Sequence, residues 1–184
     1  MKRIGFIGYG LRSETMMKSF RSLEADITVA AVADPRHAEI APGLAGDPYF
    51  AHTRWYADAD ELLAGEALDG VFIGTRCSLH TPYACRVLDM GLPLFLEKPV
   101  CISPEQYEAL REAGCDVLGM VAIFTYGFPT AAENFAGADV KLDTLSDYKT
   151  MIELAAKQGY VHEDELQTLQ QWRRDPANWK KSAQ

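Results

Sequence analysis

Lys2-Arg3-Ile4-Gly5-Phe6-Ile7-Gly8-Tyr9-Gly10-Leu11-Arg12-Ser13 opens the chain with an apolar run that breaks into paired glycines and then a polar segment. The spacing is G-x-G-x-x-S. In a strand–turn–helix unit the first glycine of such a motif permits a tight turn and the second lets backbone approach a pyrophosphate. The third small residue lets helix pack against strand. Ser13 departs mildly from the usual Gly or Ala. Met16, Met17, Phe20 and Leu23 then recur at helical spacing, and the apolar run 27–33 ends in Asp34. An acidic residue there is placed to accept ribose hydroxyls, which favours NAD over its 2′-phosphorylated form, NADP. Arg36 blurs that preference, because a nearby cation can hold a 2′-phosphate. A βαβ unit whose glycines serve only the turn would look the same. Gly8, Gly10, Leu11, Arg12, Ser13, Asp34 and Arg36 are the residues expected to line a dinucleotide site.

Outward from this loop, short apolar or β-branched runs alternate with segments of helical period, the pattern of an α/β fold with a parallel sheet. Strands are expected at 3–7, 27–33, 53–56, 70–73, 93–97, 117–124 and 141–145. Buried parallel strands read as continuous apolar runs, as 29–33 and 117–124 do. Ser103-Pro104-Glu105-Gln106 offers a helix cap, with a stop at Gly114. Ser146-Asp147 starts another helix that ends at Gly159, and an acidic-to-basic helix runs over 163–174 before Pro176. Residues 35–48 read as helix or loop. The expected fold is a three-layer, Rossmann-like, doubly wound parallel sheet of about seven strands in a single domain spanning 1–184. Its strand order would be 3-2-1-4-5-6-7, with the ligand crevice where the order reverses between strands 1 and 4.

Composition narrows the partners. The chain has 184 residues, 48% hydrophobic, enough for one good core. A net charge of -8 disfavours nucleic acid and anionic membrane, while leaving backbone N–H groups free to bind a small phosphate. No run approaches the roughly 20 apolar residues of a membrane span, so a soluble, cytoplasmic chain is expected. Cys77, Cys85, Cys101 and Cys115 have no C-x-x-C pairing and no histidine at ligand spacing, so reduced thiols and no metal are expected.

Two resemblances meet in this chain. Gly8-Tyr9-Gly10, Ala33-Asp34-Pro35, the run from Leu68 to Thr75 leading to His80, and Glu97-Lys98-Pro99 resemble the N-terminal domain of the Gfo/Idh/MocA oxidoreductase family over residues 1 to about 106. The resemblance implies that Thr75 to His80 edges the nicotinamide site. It also implies that Lys98, after Glu97, points at nicotinamide and substrate. Arg76 and Cys77 stand where that family commonly has Pro and Asn. His80 reads equally as a capping or packing residue and as a ligand-binding one. From about residue 107, Glu108 to Gly114, Val117 to Phe128, Leu142 to Tyr148 and Trp172 to Pro176 resemble the C-terminal part of orotate phosphoribosyltransferase. That family's diphosphate loop would precede the helix at Glu108, where this chain has the Glu97-Lys98-Pro99 loop, so phosphoribosyl transfer is not expected.

The oxidoreductase family's acid–base residues come from a second domain that the residues after Pro104 do not resemble. The reading is an engineered chimera that retains an NAD(P) site without a complete active site, with Lys98 as the best catalytic candidate. Alternatives are a reduced NAD-dependent oxidoreductase acting on a sugar or polyol, with His162 or Tyr126 recruited as base, and a scaffold with no ligand. A lone solvated lysine is a poor base.

Overall fold

The computed structural model describes residues 1–179. The chain divides into two compact units, one ending at Cys115 and one beginning at Asp116. In the first, β1 (Lys2–Ile7), β2 (Ile27–Ala33), β3 (Arg54–Tyr56), β4 (Gly70–Ile73) and β5 (Leu94–Leu96) form one sheet in the order β3-β2-β1-β4-β5. All four pairings are parallel. The helices α1 (Leu11–Ser22), α2 (His37–Leu44), α3 (Ala59–Gly65), α4 (Cys77–Asp89) and α5 (Pro104–Glu112) connect or follow them.

Both sheet faces are apolar because successive side chains of a strand point to opposite sides. Phe6, Val32 and Phe72 meet Met17 of α1 on one face, flanked by Ile40 and Leu44 of α2. Ile7, Ala31, Ala33, Val71 and Ile73 meet Leu62 of α3, Ala84 and Val87 of α4, and Leu110 of α5 on the other. Two helical layers around one sheet give the doubly wound architecture expected. Leu110 lies in the segment that resembles the phosphoribosyltransferase, yet it packs into this core.

The second unit contains β6 (Met120–Thr125), α6 (Pro129–Gly137), β7 (Leu142–Asp147), α7 (Tyr148–Lys157) and α8 (Glu163–Arg174). β6 and β7 pair with each other, Met120 opposite Leu142 and Thr125 opposite Asp147. Among the described residues seven parallel strands form sheets of five and two, so the expected order 3-2-1-4-5-6-7 is corrected at its last two positions. The expectation that 117–124 is a buried strand is corrected as well. Pairing begins at Met120, whose N–H donates to the Lys141 carbonyl at 2.7 Å. Val121 and Ile123 are 69% and 75% exposed. An all-apolar strand is buried only when neighbours and helices cover it, and in its sheet β6 has one neighbour. Tyr148 and Ile152 of α7 are buried, and Tyr126, Phe128, Tyr148 and Trp172 form an aromatic cluster within this unit.

At the N-terminal side of the five-stranded sheet, the buried Glu66 carboxylate accepts from Tyr56 Oη at 2.7 Å. It also pairs with Arg3 at 3.1 Å and Arg54 at 3.3 Å. This network ties β1 and β3 to the end of α3. Among the described residues no helix is long and apolar enough to cross a membrane.

Candidate functional site

The register puts Ile7 opposite both Ala33 and Ile73, so the segments after β1, β2 and β4 leave the sheet at one edge. The order reverses there, with β2 on one side of β1 and β4 on the other, the place where open α/β sheets bind ligands.

Gly8 has φ +81, and its N–H donates to the Ala33 carbonyl at 2.8 Å. A Cβ there would lie 2.8 Å from Thr75 Cγ2 and 3.0 Å from the Thr75 backbone. Glycine is thus required twice over, by the left-handed turn and by the close approach of the next loop. Gly10 differs. It is extended, with φ -112, and a Cβ there would meet nothing within 4 Å. Nothing in the fold demands glycine at this position, and a side chain would only fill the open space above the loop. Gly10 caps α1 without any side-chain hydrogen bond, and the exposed Leu11 and Arg12 carry the first-turn N–H groups that a phosphate can use.

Ser13 is fully buried, and its hydroxyl donates to the Gly8 carbonyl at 2.7 Å. Added carbon on Gly74 would lie 2.7 Å from that same hydroxyl oxygen. Ser13 therefore locks the turn from beneath, with its hydroxyl already committed.

Asp34 is buried, and its carboxylate is engaged. Oδ2 accepts from the Tyr9 N–H at 2.9 Å, and Oδ1 accepts from the Arg36 N–H at 2.8 Å and from Arg36 Nε at 3.4 Å. It staples the glycine turn to the end of β2, a role the sequence did not disclose. Tyr9 anchors the same turn on the other side, edge-on to Phe6 and Phe50. Burial pushes its hydroxyl up to about 12.

On the other side of the crevice, His80 is 1% exposed, with Nδ1 2.7 Å from the Pro99 carbonyl and Nε2 3.1 Å from the Thr75 carbonyl. A carbonyl only accepts, so each contact is a hydrogen bond when its ring nitrogen carries the proton. The ring bolts the turn after β4 to the loop after β5. Of the two readings the sequence left open for His80, the packing role is the one these contacts describe, since both nitrogens face backbone.

Two residues that the sequence did not mark as part of the site reinforce this bolt. Thr81 Oγ1 donates to the Val100 carbonyl at 3.0 Å. Gln106 accepts from the Ile102 N–H at 2.9 Å and donates to the Ser78 carbonyl at 3.3 Å. Gln106 was legible only as a capping residue of α5, and its side chain spans two loops instead.

Glu97 follows β5, with its N–H on the Ile73 carbonyl at 3.2 Å, and is half-buried. Lys98 is exposed, and the Lys98–Pro99 peptide is cis. Thr75 is half-buried against Gly8, while Arg76 and Cys77 are exposed at the start of α4. Burial raises the Cys85 thiol above its ordinary value, with Asp89 adding to the effect. The crevice edge thus presents a glycine turn, free first-turn N–H groups, an exposed arginine and an exposed lysine. That set can cradle a pyrophosphate and leaves an ammonium group on the β5 side.

Residues 2–116 match the family described as oxidoreductase family, NAD-binding Rossmann fold, Gfo/Idh/MocA. The chain belongs to the Gfo/Idh/MocA oxidoreductase family. Solved structures similar in fold include a dehydrogenase from Chromobacterium violaceum, 22% identical with TM-score 0.54, covering 65% of this chain and 35% of that one. A WlbA dehydrogenase from Bordetella pertussis, solved with NADH and UDP-GlcNAcA, is 21% identical with TM-score 0.53, covering 64% and 35%. At these identities the likeness is one of fold.

A 72-residue stretch is 50% identical to orotate phosphoribosyltransferase of Bacteroides thetaiotaomicron, covering 39% of this chain and 34% of that protein. The match to the enzyme of Bacillus subtilis is also 50% over 72 residues, covering 39% and 33%. The Gfo/Idh/MocA chain is thus of two-part composition, and it spans about a third of the length of its relatives of either kind. The family match ends at residue 116, beside the structural boundary after Cys115.

The remaining expected residues lie in the second unit. His162 is exposed at the cap of α8, where its N–H donates to the Glu165 carboxylate at 2.9 Å. Tyr126 is half exposed in the aromatic cluster, and its carbonyl accepts from Arg173 Nε at 3.1 Å.

Proposed function

We propose that the protein is an engineered joining of two α/β segments whose first unit holds a nicotinamide dinucleotide on the 8–13 loop without being a complete enzyme. The observation that carries the binding reading is Gly10, a glycine the fold does not need, standing over uncapped helix N–H groups at the sheet's reversal. A pyrophosphate would lie against that loop, held by the N–H groups of Leu11 and Arg12. Membership of an NAD-binding family supports the same reading. When bound, such a cofactor supplies hydride chemistry. This chain's own residues orient it: Gly8 and Ser13 set the turn, Asp34 staples it, and His80 holds the far wall. Support for the engineered origin comes from the presence of two unrelated families in one chain.

Lys98, exposed after β5, is the candidate to act on a substrate hydroxyl. As an ammonium it can donate a hydrogen bond, and it is a poor proton acceptor. Membership of an oxidoreductase family supports a second reading, a reduced oxidoreductase acting on a sugar or polyol. The discriminating experiment has two arms. Titration with NADH, followed by nicotinamide fluorescence, should saturate, and Gly10→Trp should abolish saturation. NAD reduction by a panel of polyols and sugars should not exceed that of Lys98→Ala. Turnover above that control would establish the second reading, and an absence of saturation at millimolar NADH would remove both.

A further inference from the structure

Along β6 and β7 the side chains alternate between two environments. Val121, Ile123, Asp143 and Leu145 are exposed, while Ala122, Phe124 and Thr144 between them are half-buried. Successive side chains of a strand point to opposite faces, and Val121 stands directly opposite Asp143, so the exposed four share one face of this two-stranded sheet. Its apolar members, Val121, Ile123 and Leu145, are 69%, 75% and 80% exposed. Parallel strands with such residues are ordinarily covered on both sides. Together the three leave roughly 400 Å² of side chain open, the size at which a patch on a monomer marks an interaction site.

The charged groups beside the patch point to its occupant. Lys141 Nζ lies 2.8 Å from the Asp143 carboxylate, and the two side chains are 75% and 61% exposed. One cation and one anion at the same border leave the face neutral, on a chain whose net charge is -8. Elsewhere two copies of so acidic a chain repel; across this face they meet without a local charge penalty. With Lys141 and Asp143 included, each copy brings roughly 600 Å² and a pair roughly 1,200 Å², above the ~1,000 Å² that a specific interface needs.

We propose that this open face of the β6–β7 sheet is a homodimer contact, in which the Val121, Ile123 and Leu145 patch of one copy packs on the same patch of a second copy. The same surface serves both copies, as a two-fold contact requires. An interface near the lower size limit holds weakly, with Kd on the order of 10–100 μM.

The test is sedimentation velocity of the full chain at physiological salt, from about 1 μM to about 1 mM, a range that brackets that Kd. The average mass should rise from 20.4 kDa toward twice that value. Ile123→Lys and Val121→Lys put a charge into the contact and should each weaken association by about tenfold or more. Both side chains are exposed, so folding is not at stake, and circular dichroism should match the parent. A second pair of variants tests the charge balance. Lys141→Glu makes the border doubly negative and Asp143→Lys makes it doubly positive, so each alone should stay monomeric, whereas an equimolar mixture should dimerise. A parent that stays at 20.4 kDa at the highest concentration would overturn the proposal and leave the face to a partner of another kind. Dimers that survive Ile123→Lys, or a mixture of the charge variants that stays monomeric, would overturn it as well, because the contact would then lie elsewhere on the chain.

Discussion

The two loop glycines should separate folding from binding. Gly8→Ala places a methyl group on a left-handed residue, at about 1–2 kcal/mol. It also drives that carbon to 2.8 Å from Thr75 Cγ2 and 3.0 Å from Thr75 N and Cα. Backbone cannot rotate out of the way, so overpacking adds about 1–3 kcal/mol. The first unit should lose about 2–5 kcal/mol, which at ordinary urea sensitivities is a fall in midpoint of about 1–2 M. Gly10→Ala meets nothing within 4 Å at an ordinary φ of -112. Its stability should match the parent or exceed it by up to about 1 kcal/mol, because the unfolded chain loses freedom. The same methyl group projects where a pyrophosphate must approach, so NADH affinity should drop by about tenfold, or about 1.4 kcal/mol. Urea unfolding followed by circular dichroism and an NADH titration read the two effects. A Gly10→Ala protein that binds NADH like the parent would refute the loop as a phosphate cradle. A Gly8→Ala protein of parental stability would refute the close approach of Thr75.

Other perturbations address the scaffold. His80→Ala leaves the Thr75 and Pro99 carbonyls without their partner and should cost about 2–4 kcal/mol, read as a lower urea midpoint. Glu66→Ala removes the acceptor shared by Tyr56, Arg3 and Arg54 and should cost about 1–3 kcal/mol, with no change in NADH affinity, because it lies away from the crevice edge. Tyr9 ionises at 10.0 when unfolded and near 12 when folded. Its folded value is raised, so its contribution is complete below pH 10 and is lost as pH rises toward 12; Tyr9→Phe should flatten that decline in alkaline melts. Asp147 lies below its ordinary 3.8 because the Thr150 N–H donates to it, so the α7 cap holds above that pH and weakens as acid is added. Asp147→Asn should remove that acid-side slope.

Much of the first unit was legible because its strands end abruptly. The apolar runs of β1, β2 and β4 stop at Gly8, Asp34 and Gly74, and the structure ends them within a residue of these positions. The glycine turn was legible for the same reason, since few residues serve a positive φ. The helix Ala59–Gly65 was not singled out, although Asp58 caps it by accepting from the Asp60 N–H at 2.7 Å; a short helix carries too few residues for a clear period. Asp34, His80 and Gln106 show the other limit. Residue type announced polar side chains near a site, but each joins main-chain groups close by in sequence to others 19 to 28 positions away, and spacing does not encode the distant ones. β6 shows it again: an apolar run reports what a strand could bury, and burial itself depends on which strands flank it.

The central claim is that a dinucleotide lies on the 8–13 loop. The most direct measurement is an amide nitrogen–proton correlation spectrum of the full chain titrated with NADH. Saturable shifts should appear at Gly8, Gly10, Leu11, Arg12 and Arg36, with Val121 and Ile123 of β6 unmoved. A spectrum unchanged at millimolar NADH, or shifts that spare Gly10 and Leu11, would contradict it.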